Sequence, residues 1–96
     1  MQYLLTAYDG TGDDVLKRRM DARVEHLERI AVLKKNGEFL FGGAILDMNG
    51  KMIGSVILFE FPDRETLDKR LEDEPYIRKS VWEKIDIVPF RLAKTD

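Results

Sequence analysis

Four turn signals divide this chain, and each of the four segments that they end fits one strand or one helix. The signals are Asp9-Gly10-Thr11-Gly12, Asn36-Gly37, Asn49-Gly50 and Pro62-Asp63. Glycine, proline, asparagine and aspartate favour tight turns because they adopt turn dihedral angles at little cost. Between the turns, the spacing of the apolar residues predicts which type of element each segment forms.

Strands are predicted over residues 2–8, 38–47, 51–61 and 82–92, and a long helix over about 13–35. Asp13 or Asp14 is the predicted cap of the long helix, and Asp63 the predicted cap of a short helix to about Leu71. The resulting order is β-α-β-β-α-β. It predicts a ferredoxin-like α+β fold with both helices on one face of a four-stranded antiparallel sheet.

Three local features refine this prediction. Pro75 is predicted to open another helical turn through Ser80. Pro89 lies inside the last strand and predicts that this strand lies at an edge of the sheet, because proline cannot donate a ladder hydrogen bond. The pair Gly42-Gly43 in the second strand predicts a bulge or a close approach of two backbones.

The predicted strands are apolar on both faces, whereas a sheet with one solvated face alternates apolar and polar residues. In the first strand, Tyr3, Leu5 and Ala7 oppose Leu4, Thr6 and Tyr8. The two helices can cover only one face, and a second copy of the chain is the simplest cover for the other. We therefore expect a homodimer, a dimeric α+β barrel. The alternative is that these are central strands with a few apolar residues on a solvated face.

Length and composition limit the other possibilities. The 96 residues form one domain, residues 1–96, and the 16 basic and 18 acidic residues give a formal charge of −2, which does not favour nucleic-acid binding. The absence of cysteine excludes disulfides, thiolate nucleophiles and Cys-ligated zinc. No signal peptide and no apolar run of about 20 residues is present, so we expect a cytoplasmic protein without a membrane partner.

The long helix carries His26, the single histidine of the chain. The predicted apolar stripe is centred on Leu27 and contains Leu16, Met20, Val24 and Ala31. At about 100° per residue, His26 falls about 100° from this centre, at the border of the stripe. A half-buried histidine there suits proton transfer at neutral pH, and the alternative is a solvated surface histidine. One histidine without cysteine argues against a metal site.

Other residues could complete a site around His26. Arg23 falls about 40° from the stripe centre, so it is predicted to point inward and to need an anionic partner, either a protein carboxylate or a ligand. Asp73 and Glu74, in the loop before Pro75, could orient the imidazole. Gly42, Gly43, Gly54 and Ser55 could line a small cleft, although Gly54-Ser55 could equally serve packing.

These residues, in this order, resemble the YciI-like proteins over nearly the whole chain. The matching elements are Arg23-x-x-His26-Leu27, Gly42-Gly43, Gly54-Ser55, an acid before Pro75-Tyr76, Val81-Trp82 and Val88-Pro89-Phe90. The resemblance implies a ferredoxin-like fold, a dimeric α+β barrel and an active site built on a histidine–aspartate pair. The family includes a dehydrochlorinase that acts on a chlorinated hydroxyhydroquinone.

Carried over by position, the family's histidine is His26, and Arg23, Gly43 and Ser55 fall on matching positions. The family's acid belongs to an Asp-Pro-Tyr, whereas this chain has Glu74-Pro75-Tyr76 with Asp73 just before it. Because the proline fixes the registry, Glu74 is the favoured partner of His26. The family also often has glycine where this chain has Ser80.

Two functional hypotheses follow. The first is an enzyme of lyase or isomerase type that needs no cofactor. In it His26 acts as general acid or base on a cyclic or aromatic oxygenated substrate, Asp73 or Glu74 orients it, and Arg23, Gly43 and Ser55 bind the substrate. The second is a non-enzymatic dimer that binds a small ligand or another protein.

Overall fold

The computed structural model describes residues 1–95 and has the predicted ferredoxin-like α+β fold. In chain order the elements are β1 (Gln2–Asp9), α1 (Val15–Lys35), β2 (Phe39–Leu46), β3 (Met52–Glu60), α2 (Arg64–Leu71), α3 (Pro75–Arg78) and β4 (Trp82–Phe90). The four strands form one antiparallel sheet in the order β2-β3-β1-β4. The strand containing Pro89 therefore lies at an edge, as predicted.

Local signals in the sequence explain where the short helices begin. The Asp63 carboxylate accepts a hydrogen bond from the backbone N–H of Thr66 and so caps α2. Pro75 occupies the first turn of α3, where a missing N–H costs nothing. This helix ends at Arg78, and Ser80 follows with a positive φ of 56°, so the predicted turn through Ser80 is two residues too long.

The apolar core lies between the sheet and the helices. Leu5 and Ala7 of β1 are fully buried, and they belong to one cluster with Ala22 of α1, Leu67 of α2 and Tyr76 of α3. One face of the central strand is therefore covered by side chains from all three helices. Within residues 1–95, none of the helices has the length and apolar character required to cross a membrane.

The buried face of α1 is not the predicted one. The buried residues are Val15, Arg19, Ala22, His26, Ile30 and Leu33, spaced three and four apart. Met20, Val24 and Leu27, which defined the predicted stripe, are 48%, 67% and 45% exposed. His26 therefore lies within the buried face rather than at its border. The predicted stripe is wrong because two of the six buried positions carry polar side chains, which an apolar periodicity does not register.

Of the paired glycines of β2, Gly42 serves close packing and neither lies at a bulge. The irregularities in the β2–β3 pairing lie on either side of them, between Phe39 and Phe41 and between Ile45 and Leu46. A Cβ atom on Gly42 would lie 2.8 Å from the carbonyl oxygen of Val56, so the expected close approach occurs here. A Cβ on Gly43 would meet nothing within 4 Å.

The sheet face away from the core carries an apolar row across all four strands. The cross-strand partners in this row are Phe41, Leu58, Leu4 and Val88, from β2 to β4. Leu58 is fully buried by its neighbours, while Phe41 and Val88 are 42% and 41% exposed. The second face is therefore apolar at its centre, as the strand pattern predicted.

We expect Gly54→Ala to destabilise the fold. A Cβ atom at this position would lie 2.4 Å from the carbonyl oxygen of Ala7 on the neighbouring strand, and a backbone atom cannot rotate away. The free energy of unfolding should fall by about 1–3 kcal/mol. Urea denaturation measures this change, with Gly43→Ala as the matched control that meets open space. Equal denaturation midpoints for both variants would contradict the argument.

Candidate active site

A buried carboxylate, that of Glu74, organises the site. Its side chain is fully buried and accepts hydrogen bonds from His26 Nδ1, at 2.9 Å to each oxygen, and from the backbone N–H of Tyr76 at 2.9 Å. Arg29 Nη1 adds a longer contact of 3.3 Å. A buried charge needs such partners because its desolvation is otherwise uncompensated. Three different segments, two turns of α1 and the start of α3, therefore meet at one carboxylate.

The position of Glu74 follows from local chain geometry. It is the N-cap residue of α3, with an extended backbone at φ −71° and ψ 120°, as expected for the residue before a proline. Its carboxylate turns back to cap the helix through Tyr76. Asp73, one residue earlier, is exposed, and its backbone carbonyl accepts a bond from Arg78.

His26 is held on two sides. Its Nδ1 faces Glu74, and its ring stacks on the Tyr76 ring with centroids 4.0 Å apart and planes inclined by 18°. The Trp82 ring lies edge-on at 6.4 Å. Among the described residues, the other ring nitrogen, Nε2, has no hydrogen-bond partner. In the neutral ring, a proton on Nδ1 facing the carboxylate leaves Nε2 as a free base.

A second polar network lies two helical turns before His26. Arg19 is 2% exposed, and its Nη1 donates to both carboxylate oxygens of Asp9 at 2.9 and 3.0 Å. Its Nη2 donates a hydrogen bond to Ser55 Oγ at 2.9 Å. The same oxygen accepts a second hydrogen bond from Trp82 Nε1 at 3.2 Å. The Arg19 guanidinium lies 4.7 Å from the centre of the Tyr76 ring.

Tyr76 connects the two networks. Arg19 and His26 are seven residues apart on α1, about 10.5 Å along the helix axis, which leaves room for one aromatic ring between their side chains. Burial raises the pKa of the Tyr76 phenol above 10.0, and the nearby guanidinium of Arg19 partly offsets this. The phenol is therefore neutral, and able to donate a hydrogen bond, throughout the physiological pH range.

Burial shifts the pKa of Asp9 and the pKa of Arg29 in opposite directions. Burial raises the pKa of the Asp9 carboxyl, and the Arg19 guanidinium partly offsets this. Burial lowers the pKa of Arg29, which Glu74 partly restores. Both shifts come from desolvation, which disfavours the charged form, and in each case the oppositely charged partner opposes the shift.

A cleft of about 100 Å³ opens between α1 and strands β2 and β3, and both networks border it. Its polar lining is Arg19, Arg23, His26, Ser55 and Tyr76. These side chains all carry hydrogen-bond donors. The carboxylates of the two networks, by contrast, are turned toward their arginine and histidine partners.

The apolar part of the lining is formed by Leu27, Ile30, Phe39 and Ile57, and the backbone of Gly43 also borders the cleft. The cleft is smaller than the cavity of about 150 Å³ that accepts a benzene ring, so it holds at most one small ring that extends through its open side. Two wider depressions, of about 480 and 410 Å³, lie at the ends of the sheet and contain no histidine. Among residues 1–95, no three His, Cys, Asp or Glu side chains lie close enough to hold a metal ion.

The structure brings most of the residues predicted from sequence into one place. His26 and Glu74 are in contact, and His26, Arg23, Gly43 and Ser55 line the same cleft. Asp73 is the exception. Its exposed side chain makes no hydrogen bond within the described residues, because Pro75 directs the neighbouring Glu74 inward instead.

Arg23 also differs from expectation. It is half-buried at the cleft and forms no ion pair with any residue of the described chain, so of the two anionic partners expected for it, a protein carboxylate or a ligand, the carboxylate is absent. The arginine that does point inward and pairs with a carboxylate is Arg19. Sequence reasoning missed Arg19 together with Asp9, Arg29 and Trp82. The spacing of Arg19 and His26 on one helix face was the available signal.

Fold and site together define a ferredoxin-like α+β domain with a buried histidine–carboxylate pair beside a small cleft. The chain belongs to the family of the YCII-related domain, which matches residues 1–91. Protein YciI of Escherichia coli O6:H1 and that of Shigella flexneri are each 29% identical over 97 residues, covering 95% of this chain and 97% of theirs. The resemblance noted from the motifs is thus confirmed.

Solved structures agree with this fold. The 5-chloro-2-hydroxyhydroquinone dehydrochlorinase TftG of Burkholderia phenoliruptrix AC1100, in complex with 2,5-dihydroxybenzoquinone, is 20% identical with a TM-score of 0.86. The match covers 97% of this chain and 96% of that one. A dimeric ferredoxin-like protein from Jannaschia sp. CCS1 is 15% identical with a TM-score of 0.52, covering 95% and 98%.

We expect Glu74→Gln to move the proton of the neutral His26 ring from Nδ1 to Nε2. Tyr76 N–H and Arg29 both need an acceptor, so they should take the amide oxygen and leave the NH₂ group facing the imidazole. Long-range ¹⁵N–¹H NMR in alkaline solution distinguishes the two tautomers. Asp73→Asn is the matched control and should keep the wild-type tautomer. A proton on Nε2 in the wild type would disprove the arrangement.

Proposed function

We propose that this protein is a cytoplasmic homodimer that acts as a cofactor-independent enzyme of lyase or isomerase type. His26 serves as general acid or base on a small cyclic or aromatic oxygenated substrate. The observation that carries this proposal is the buried contact of His26 Nδ1 with Glu74, which leaves Nε2 available for proton transfer. A carboxylate in this position orients the imidazole.

The reaction class follows from what the lining can do. Nε2 takes a proton from a carbon next to a carbonyl or ring oxygen, and the electron pair of that bond forms a new double bond. In an elimination, a leaving group departs from the adjacent carbon with its own electron pair. In an isomerisation, the imidazolium returns the proton to another carbon. Neither route requires a redox cofactor.

The remaining lining residues support substrate binding. Arg23 offers a cation without a protein partner in the described chain, which suits an anionic substrate group. The open backbone at Gly43 leaves room for a ring. The structural neighbour from Burkholderia holds a hydroxylated quinone, and the apolar lining here suits a ring of that size.

We expect His26→Gln to reduce turnover by about 10²–10⁴-fold while ligand binding persists. Small cyclic acids and phenols that raise the melting temperature of the wild type would first identify a ligand. Proton abstraction is then followed by NMR, as exchange of the ligand's acidic C–H for deuterium in D₂O. The matched control is Glu28→Gln, on the exposed side of α1, which should exchange at the wild-type rate.

If His26→Gln binds and exchanges the ligand as the wild type does, the site is not an acid–base catalyst. The non-enzymatic binding dimer would then account for the cleft better. If the exchange is lost while binding is kept, His26 acts on the bound ligand rather than on its recognition.

The dimer of the proposal is testable on the apolar row of the second sheet face. We expect a mass near twice 11.2 kDa by light scattering at micromolar concentration. Val88→Lys places a charge in this row and should shift the mass toward the monomer. Val32→Lys, a matched change on exposed α1, should leave the dimer intact. A monomeric wild type would refute the dimer.

A further inference from the structure

Ser55 is placed so that its hydroxyl has only one role open to it. The residue lies on β3, is 2% exposed and lines the cleft. Its oxygen accepts two hydrogen bonds, from Arg19 Nη2 at 2.9 Å and from Trp82 Nε1 at 3.2 Å. A serine hydroxyl has two lone pairs and one proton, so both acceptor positions are taken.

Neither partner can reverse its bond. The guanidinium of Arg19 and the indole N–H of Trp82 are donors without acceptor capacity. Within residues 1–95, the Ser55 hydroxyl makes no hydrogen bond as a donor, so its proton remains unused at the cleft.

We propose that Ser55 is a one-way hydrogen-bond donor that selects an anionic or carbonyl oxygen of the bound ligand and rejects a ligand N–H at that point. This inference rests on the proposed function in taking the cleft as the ligand site. Arg19 and Trp82 are positioning residues, because they act through Ser55. A site that leaves a buried polar group unpaired against the wrong ligand discriminates strongly.

The Arg19 side chain is held in place by further contacts, so it continues to occupy one acceptor position of Ser55. Asp9 binds its Nη1 through both carboxylate oxygens, and the Tyr76 ring lies 4.7 Å from the guanidinium carbon. The side chain therefore cannot turn to free the serine oxygen without breaking a buried ion pair.

The charge of the lining defines the ligand class. Arg23 adds a cation without an ion-pair partner in the described chain, and Asp9 and Glu74 face away into their own networks. The cleft thus presents donors to a ligand of single-ring size. We assign it to a small ring compound that carries a carboxylate or a ring oxide.

Benzoate and benzamidine test this assignment, because they share one ring, but benzoate is an anion that offers acceptors and benzamidine is a cation that offers donors. His26 is the only histidine, so its ring proton signals report binding at the cleft without ambiguity. The wild type should bind benzoate at least tenfold more tightly than benzamidine. Ser55→Ala should weaken benzoate about tenfold or more. Thr11→Ala, which removes an exposed hydroxyl, should change nothing.

The Trp82→Phe variant distinguishes a positioning role of Trp82, through its hydrogen bond to Ser55, from a packing role. The variant frees one lone pair of the Ser55 oxygen, so the hydroxyl can accept a hydrogen bond from a ligand. Benzamidine should then bind more tightly than it does to the wild type, and the ratio of the two affinities should fall. This variant also tests the proposal if Ser55→Ala does not fold. A packing role alone would weaken both ligands together.

Two results overturn the inference. The first is unchanged benzoate affinity in Ser55→Ala, which would leave the cleft and the acid–base role of His26 standing. The second is a wild type that shows no preference for benzoate over benzamidine, including one that binds neither. Loss of deuterium exchange in His26→Gln is a separate measurement, so the proposed function can fail or survive independently.

Discussion

The buried carboxylate of Glu74 is the contact on which the geometry of the site depends. It is fully buried and joins α1, through His26 and Arg29, to the first turn of α3, through Tyr76 N–H. Removing one partner of such a charge leaves the rest uncompensated, which costs several kcal/mol in typical proteins. The same bonds that hold α3 against the long helix therefore also orient the imidazole. The contact of α3 with α1 and the orientation of the imidazole therefore depend on one group.

The long helix places polar side chains where a helix of this kind normally places apolar ones. Arg19 and His26 occupy the buried face, and the Tyr76 ring fits between them. The Arg19 guanidinium is paired with Asp9 of β1 through Nη1, and His26 Nδ1 with Glu74 before α3, while Arg19 Nε is buried without a hydrogen-bond partner among the described residues. The cost is a core interrupted by polar networks, and the benefit is a cleft lined by donors next to hydrophobic side chains.

The sequence was sufficient to predict the elements, because turns and caps are local. The signals at Asp63 and Pro75 placed two helix starts correctly, and Pro75 also fixed which of two neighbouring acids meets His26. The face of α1 was predicted wrongly because the exposed apolar residues, such as Val24, dominate its pattern. Arg19 of α1 meets Asp9 of β1 only because of the angle at which α1 crosses the sheet. The spacing of residues along the chain does not predict that angle.

The carboxylate of Glu74 has two roles, as the N-cap of α3 and as the partner of His26. An N-cap side chain must reach back to the helix it precedes, and the bond to Tyr76 N–H fixes the carboxylate there. Both carboxylate oxygens of Glu74 lie 2.9 Å from His26 Nδ1, so these two contacts alone do not set the plane of the imidazole ring. The stacking on Tyr76 supplies the missing direction, because it restricts the plane of the ring. Backbone capping thus sets where the acid is, and aromatic packing sets how the histidine faces the cleft.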